Sequence, residues 1–177
     1  MTNGQELLLD LAAAIQDVQL SNGDSDHERR TVRYALLEVY RSREQLWMNG
    51  LNKPQKQSYF AEAQTKPAWQ TVEALAAVHN SDKHNHALAV RVGFEPLYPD
   101  EHVYPSNYLF PGRNLYWRAW EDLPQDVAEA IARTVRGGVA EQTYQHRLGR
   151  RLVLETLSDA HTALAGPGPT ERQRATR

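Results

Sequence analysis

The chain has 177 residues, no cysteine, and 20 basic against 22 acidic side chains, a formal net charge of −2. That length fits one domain, or one domain with a tail, and the missing cysteine excludes disulfides, thiolate zinc sites and thiol catalysis. The near-neutral balance excludes a broad basic surface for nucleic acid, so any such binding has to be local, and no segment approaches the roughly 18 consecutive apolar residues of a membrane span.

The opening MTNGQELLLDLAAAIQ carries acids where a signal peptide carries bases, so a soluble cytoplasmic protein is expected. Charge is uneven: residues 1–26 hold five acids and no base, whereas residues 133–177 hold eight arginines against four acids. Leu8, Leu11, Ile15 and Val18 recur at helical spacing, with Asn3 and Glu6 as a start signal and Asn22-Gly23 as a stop. A second helix opens at Ser25 with Glu28 three residues on, a capping-box spacing, and closes at Asn49-Gly50. Val32, Leu36, Val39 and Leu46 face inward, and Arg29, Arg33 and Arg41 form an outer face bridged to Glu38 and Glu44.

After the polar turn NKPQKQ a short helix is expected around Ser58–Gln64. Thr65 with Pro67 then opens a third main helix whose buried stripe is Trp69, Val72, Leu75 and Ala76. The stripe leads into HNSDKHNH, which holds three of the seven histidines, His79, His84 and His86. The next segment, ALAVRVGF, alternates with period two, so the cluster sits at a helix-to-strand junction.

Residues 94–120 hold eight of the fifteen aromatic residues, interleaved with Pro96, Pro99, Pro105 and Pro111. Prolines at that density forbid a helix, and so many rings point to an ordered excursion rather than a disordered one. Core packing is the expected role of the rings; the functional alternative is an aromatic platform for nucleobases or a partner. NLYWRAW is expected to pair with ALAVRV. Leu123-Pro124 opens a helix closed by Gly137-Gly138, and a last long helix is predicted from Val139 to Leu164. Its outward Arg147, Arg150 and Arg151 are a solvated face or a local nucleic-acid-binding row, and the latter predicts steeply salt-dependent affinity. The expected architecture is a single mainly α domain over residues 1–165. It is a bundle of five or six helices with a small two- or three-stranded β-ribbon and an aromatic, proline-rich excursion, followed by a disordered tail, 166–177.

Three chemistries suit the histidine cluster. Were the helix to continue, His79, Asp82 and His86 at i, i+3 and i+7 would share a face able to hold a transition ion, although no further ligand is evident and no metal or other cofactor is expected. Structurally, His79 ends a buried stripe, and Asn80, Ser81 and Asp82 are residue types that close helices. As acid and base, a histidine titrating near neutrality can move a proton at a ribose hydroxyl while a neighbouring cation offsets phosphate charge.

The stretch His79-Asn80-Ser81-Asp82-Lys83-His84 resembles the motif of the HEPN superfamily, helical-bundle proteins of prokaryotic toxin and phage-defence systems. That motif runs from arginine through a polar residue, often asparagine, to a histidine several residues on. The resemblance implies a helical bundle, a homodimer with a shared cleft, and metal-independent RNA cleavage. Within it Asn80 matches the polar position and His84 the catalytic histidine. His79 stands where the family has arginine, and it or Lys83 would supply the phosphate-facing cation. A histidine is charged only part of the time at neutral pH and lacks the bidentate guanidinium fork. The resemblance therefore implies a non-catalytic binding or regulatory module in a phage or defence context, with a protein or RNA partner; the alternative is a toxin-like ribonuclease using His84. Residues 30–125 are also similar to uncharacterised small proteins of actinobacteria and their phages.

Overall fold

The computed structural model describes residues 3–21, 25–82, 89–95, 112–133 and 141–169, and within them a mainly helical bundle carries one small antiparallel sheet. In chain order the elements are α1 (Asn3–Leu20), α2 (Ser25–Arg43), α3 (Lys53–Ala63), α4 (Pro67–Asp82), β1 (Val90–Glu95), β2 (Gly112–Trp117), α5 (Gln125–Ala132), α6 (Glu141–Arg147) and α7 (Val153–Ala165). Among the described residues α2 runs on into a single π turn, Glu44–Met48, and a 3₁₀ turn, Trp120–Asp122, precedes α5.

The helix α4 is the axis of the bundle. From Trp69 to His79 only Gln70 escapes full burial, which fits a helix apolar on nearly every side. It packs against α2, α3, α5, α6 and α7, while α1 covers α2 and α7. On α1 the most deeply buried residues are Leu7, Leu11, Ala14 and Val18, with Leu8 and Ile15 at the margin. The short third helix starts earlier than expected, at Lys53, because Asn52 and Gln55 form a reciprocal capping box with Pro54 in the first turn.

The ribbon pairs Val90 with Trp117 and Glu95 with Gly112, as the period-two pattern predicts. Trp117 is fully buried and donates its indole N–H to Thr156 Oγ1 at 2.7 Å. The other edge of β2 takes up residues 150–152: Arg150 N–H bonds to Trp117 O, Trp117 N–H bonds to Arg151 O, and Tyr116 bridges Leu152. This exchange splits the single helix expected over 139–164. Backbone groups needed by the helix ladder go to β2 instead, Arg150 takes a left-handed φ of 61°, and α6 and α7 flank the break.

The first four residues of the expected tail, Gly166–Pro169, pack against the bundle. Trp69 Nε1 donates to Pro167 O at 3.2 Å and Lys66 Nζ to Pro169 O at 2.6 Å. A Cβ on Gly168 would lie 2.2 Å from the Trp47 ring, so only glycine permits this approach. Residues 83–88, 96–111, 134–140 and 170–177 lie outside the described residues, and with them His84, His86, Lys83, most of the aromatic excursion and the rest of the tail.

Replacing Thr156 with valine keeps the shape but strands the buried indole N–H of Trp117. Such a loss costs about 1–3 kcal/mol, to be read as a lower urea midpoint with an unchanged denaturant slope.

Candidate functional site

The sequence around Glu73 reads Trp-Gln-Thr-Val-Glu-Ala-Leu-Ala-Ala-Val, a lone acid in the middle of the most buried helix. An isolated carboxylate there is untenable, and it is met by a cation. Arg43 grips it bidentately: Nε to Oε1 and Nη2 to Oε2, both at 2.7 Å. The side chains are 6% and 1% exposed. Tyr59 of α3 donates its hydroxyl to Glu73 Oε1 at 3.0 Å, and Arg43 Nη1 reaches Glu44 Oε1 at 2.6 Å. The guanidinium also lies 5.4 Å from the Phe60 ring centre. Four segments, α2, the π turn, α3 and α4, are thus joined by one charge network.

Burial alone would lower the Arg43 pKa, but the charge of Glu73 and its hydrogen bonds outweigh that and raise it above the ordinary arginine value. Tyr59 is raised strongly, by burial first and then by the Glu73 charge. Burial likewise raises Tyr144, whose hydroxyl donates to Arg118 O.

Above the network opens a cleft of about 860 Å³. Arg43, Glu73, Ala76 and Ala77 line it, together with the rings of Tyr40 and Phe60, the Met48 side chain, and Lys53, Lys56 and Asn80. The π turn shapes this lining. Asn49 N–H closes on Glu44 O at 2.7 Å, a wider loop than the α-helix makes, so that Tyr40, Arg43, Glu44 and Met48 all line the cleft. Neither Lys53 nor Lys56 has an acidic partner among the described residues.

Of the residues singled out in the histidine cluster, Asn80 lines this cleft. His79, next to it, turns away by about 100°: it is 8% exposed and its ring centre lies 5.0 Å from that of Tyr40. Asp82 receives Arg33 Nε on both oxygens, at 3.0 and 2.9 Å, which ties the end of α4 to α2. No grouping of three metal-binding side chains occurs among the described residues. Of the outer arginines of α2, Arg41 does bridge Glu38, but Arg33 goes to Asp82, and Glu44 goes to Arg43.

The three arginines expected as a nucleic-acid-binding row do not share one helix face. Arg147 ends α6 and donates to Gln70 Oε1 at 2.8 Å; Arg150 and Arg151 lie in the turn before α7. Arg150 pairs with Glu121 at 2.6 Å and Arg151 with Asp159 at 3.0 Å. Sequence reasoning missed Arg43 and Glu73. The signal for Glu73 was the acid inside an apolar stripe; Arg43 carried none, being one arginine among several on α2. Comparison with protein-family models, curated proteins and solved structures finds no match to the chain.

Arg43→Met leaves the Glu73 charge buried with only Tyr59 as donor. A loss of about 3–5 kcal/mol is expected, and the Arg43→Met/Glu73→Gln double variant recovers part of it in a denaturation double-mutant cycle. A second outcome concerns alkali. Tyr59 and Tyr144 stay protonated in the folded state while the unfolded chain ionises them near 10.0, so the unfolded state binds fewer protons and stability falls above that pH. A Tyr59→Phe/Tyr144→Phe variant shows a shallower fall in melting temperature between about pH 10 and 11.

Proposed function

We propose that the chain is a HEPN-like, non-catalytic binding and regulatory module, self-associating, with the cleft between α2, α3 and α4 as its ligand-holding site. One observation carries this reading: the residue standing at the motif's arginine position, His79, is built into the core against Tyr40 rather than presented to the cleft. A phosphate clamp has to meet its substrate with free donors, and the cleft's own guanidinium, Arg43, is occupied by Glu73 and Glu44. What the cleft offers instead is two lysines without an acidic partner among the described residues, an amide and aromatic rings, a set suited to holding an anionic partner without cutting it.

The test is cleavage. Purified protein incubated with labelled single-stranded RNA in chelator leaves it intact, and expression is not toxic to the host. Metal-independent cleavage that His84→Ala abolishes would establish the ribonuclease reading instead. Lys53→Glu/Lys56→Glu is expected to keep the melting temperature within about 2 °C while abolishing retention of the partner that the wild-type protein holds.

A further inference from the structure

The large apolar side chains that stand exposed among the described residues are Leu9 at 56%, Leu20 at 68% and Tyr34 at 46%. All three lie on the α1–α2 hairpin. At 100° per residue, Leu9, Ala13, Gln16 and Leu20 form one row along the outer side of α1, and Glu6, Asp10 and Asp17 form the row beside it. That second row borders α2, since Ser42 Oγ donates to Leu7 O, Thr31 Oγ1 to Ser21 Oγ, and Asp10 lies within electrostatic reach of Arg41. The same contacts show the two helices antiparallel.

Across the border α2 presents the opposite sign. Arg30, Tyr34 and Arg41 stand in one row, at i, i+4 and i+11, with Arg29 and Arg33 on the side away from α1. Arg33 and Arg41 have acidic partners within the chain; Arg29 and Arg30 are exposed and have no acidic partner among the described residues. The hairpin face therefore runs from leucines through acids and a tyrosine to arginines. Turned over about a two-fold axis, such a face sets its acids against the partner's arginines twice, which is the self-complementarity an isologous contact requires. Two helices about 27 Å long lying side by side cover roughly 550 Å² per copy, near the lower limit of about 1,000 Å² in total for a stable interface.

We infer that the α1–α2 hairpin is the self-association surface of this protein, the acidic row of α1 in one copy docking on the arginine row of α2 in a second. The inference takes the self-association named in the proposed function and assigns it a surface, and it does not depend on what the cleft holds.

Charge reversal tests it without opening the core. In sedimentation velocity the wild-type chain at about 50 µM is dimeric, and raising salt from about 0.05 to 0.5 M weakens the dimer at least about tenfold. Asp10→Lys/Asp17→Lys and Arg30→Glu/Tyr34→Glu, the latter changing two exposed members of the row, are each monomeric at that concentration, with helical circular dichroism unchanged. Mixed together they re-form a dimer, because both contacts across the two-fold then join lysine to glutamate and aspartate to arginine. A wild-type monomer, two variants that each still dimerise, or a mixture that stays monomeric would overturn the assignment. So would binding of a single-stranded RNA by a monomer that the Arg30→Glu/Tyr34→Glu variant loses, which would make the arginine row a nucleic-acid surface.

Discussion

A carboxylate at the centre of an otherwise apolar helix sets the terms for everything packed around it. Glu73 is acceptable on α4 only because Arg43 meets both of its oxygens and Tyr59 supplies a further donor. Satisfying it draws the end of α2 and the face of α3 to fixed places on α4. Directly after Arg43 the helix widens into the π turn, and beyond it Trp47 reaches Trp69, ring centres 5.5 Å apart. The cleft is the space these commitments leave open. Its polarity is mostly internal, and the charge left without an opposite partner among the described residues sits on the two lysines of α3.

Elements whose pattern is local were legible in the residues. The 3.6-residue spacing of Leu11 and Val18, the Ser25 and Glu28 pair, and Thr65 with Pro67 place α1, α2 and α4 close to their observed bounds, and the alternation of ALAVRV against NLYWRAW locates β1 and β2. What failed depends on distant partners. Nothing in GVAEQTYQHRLGRRLVLETLSDAHTAL marks where β2 will claim the backbone of residues 150–152, because the competing hydrogen bonds come from Trp117, more than thirty positions earlier. The sequence of Gly166–Pro169 likewise reads as linker until Trp47 and Trp69 are in place to receive it.

The candidate site was legible in halves. Asn80 was singled out and lies in the cleft, whereas His79, chosen with it, belongs to the core. Neighbours on a helix point about 100° apart, so a linear motif assigns a side chain to a cleft only once the buried face is known. Arg43 and Glu73 were missed for the complementary reason: an ion pair 30 residues apart in sequence declares itself only in three dimensions. Of Arg147, Arg150 and Arg151, close together on a supposed single helix, the first ends α6 and the other two lie in the break that follows, and they end on three different acceptors.

The seat of Gly166–Pro169 also bears on the order in which the chain can reach its final form. The indole N–H of Trp69 takes its acceptor from a carbonyl 98 residues later, and Lys66 takes one 103 residues later. During synthesis at roughly 5–20 residues per second, α4 therefore spends seconds with one side uncovered, since α7 and the segment after it emerge more than 80 residues later. The first four helices can gather around Glu73 early, but the tryptophan pair remains open to solvent, and to any chaperone that recognises exposed aromatic surface, until Gly166–Pro169 arrive to close it.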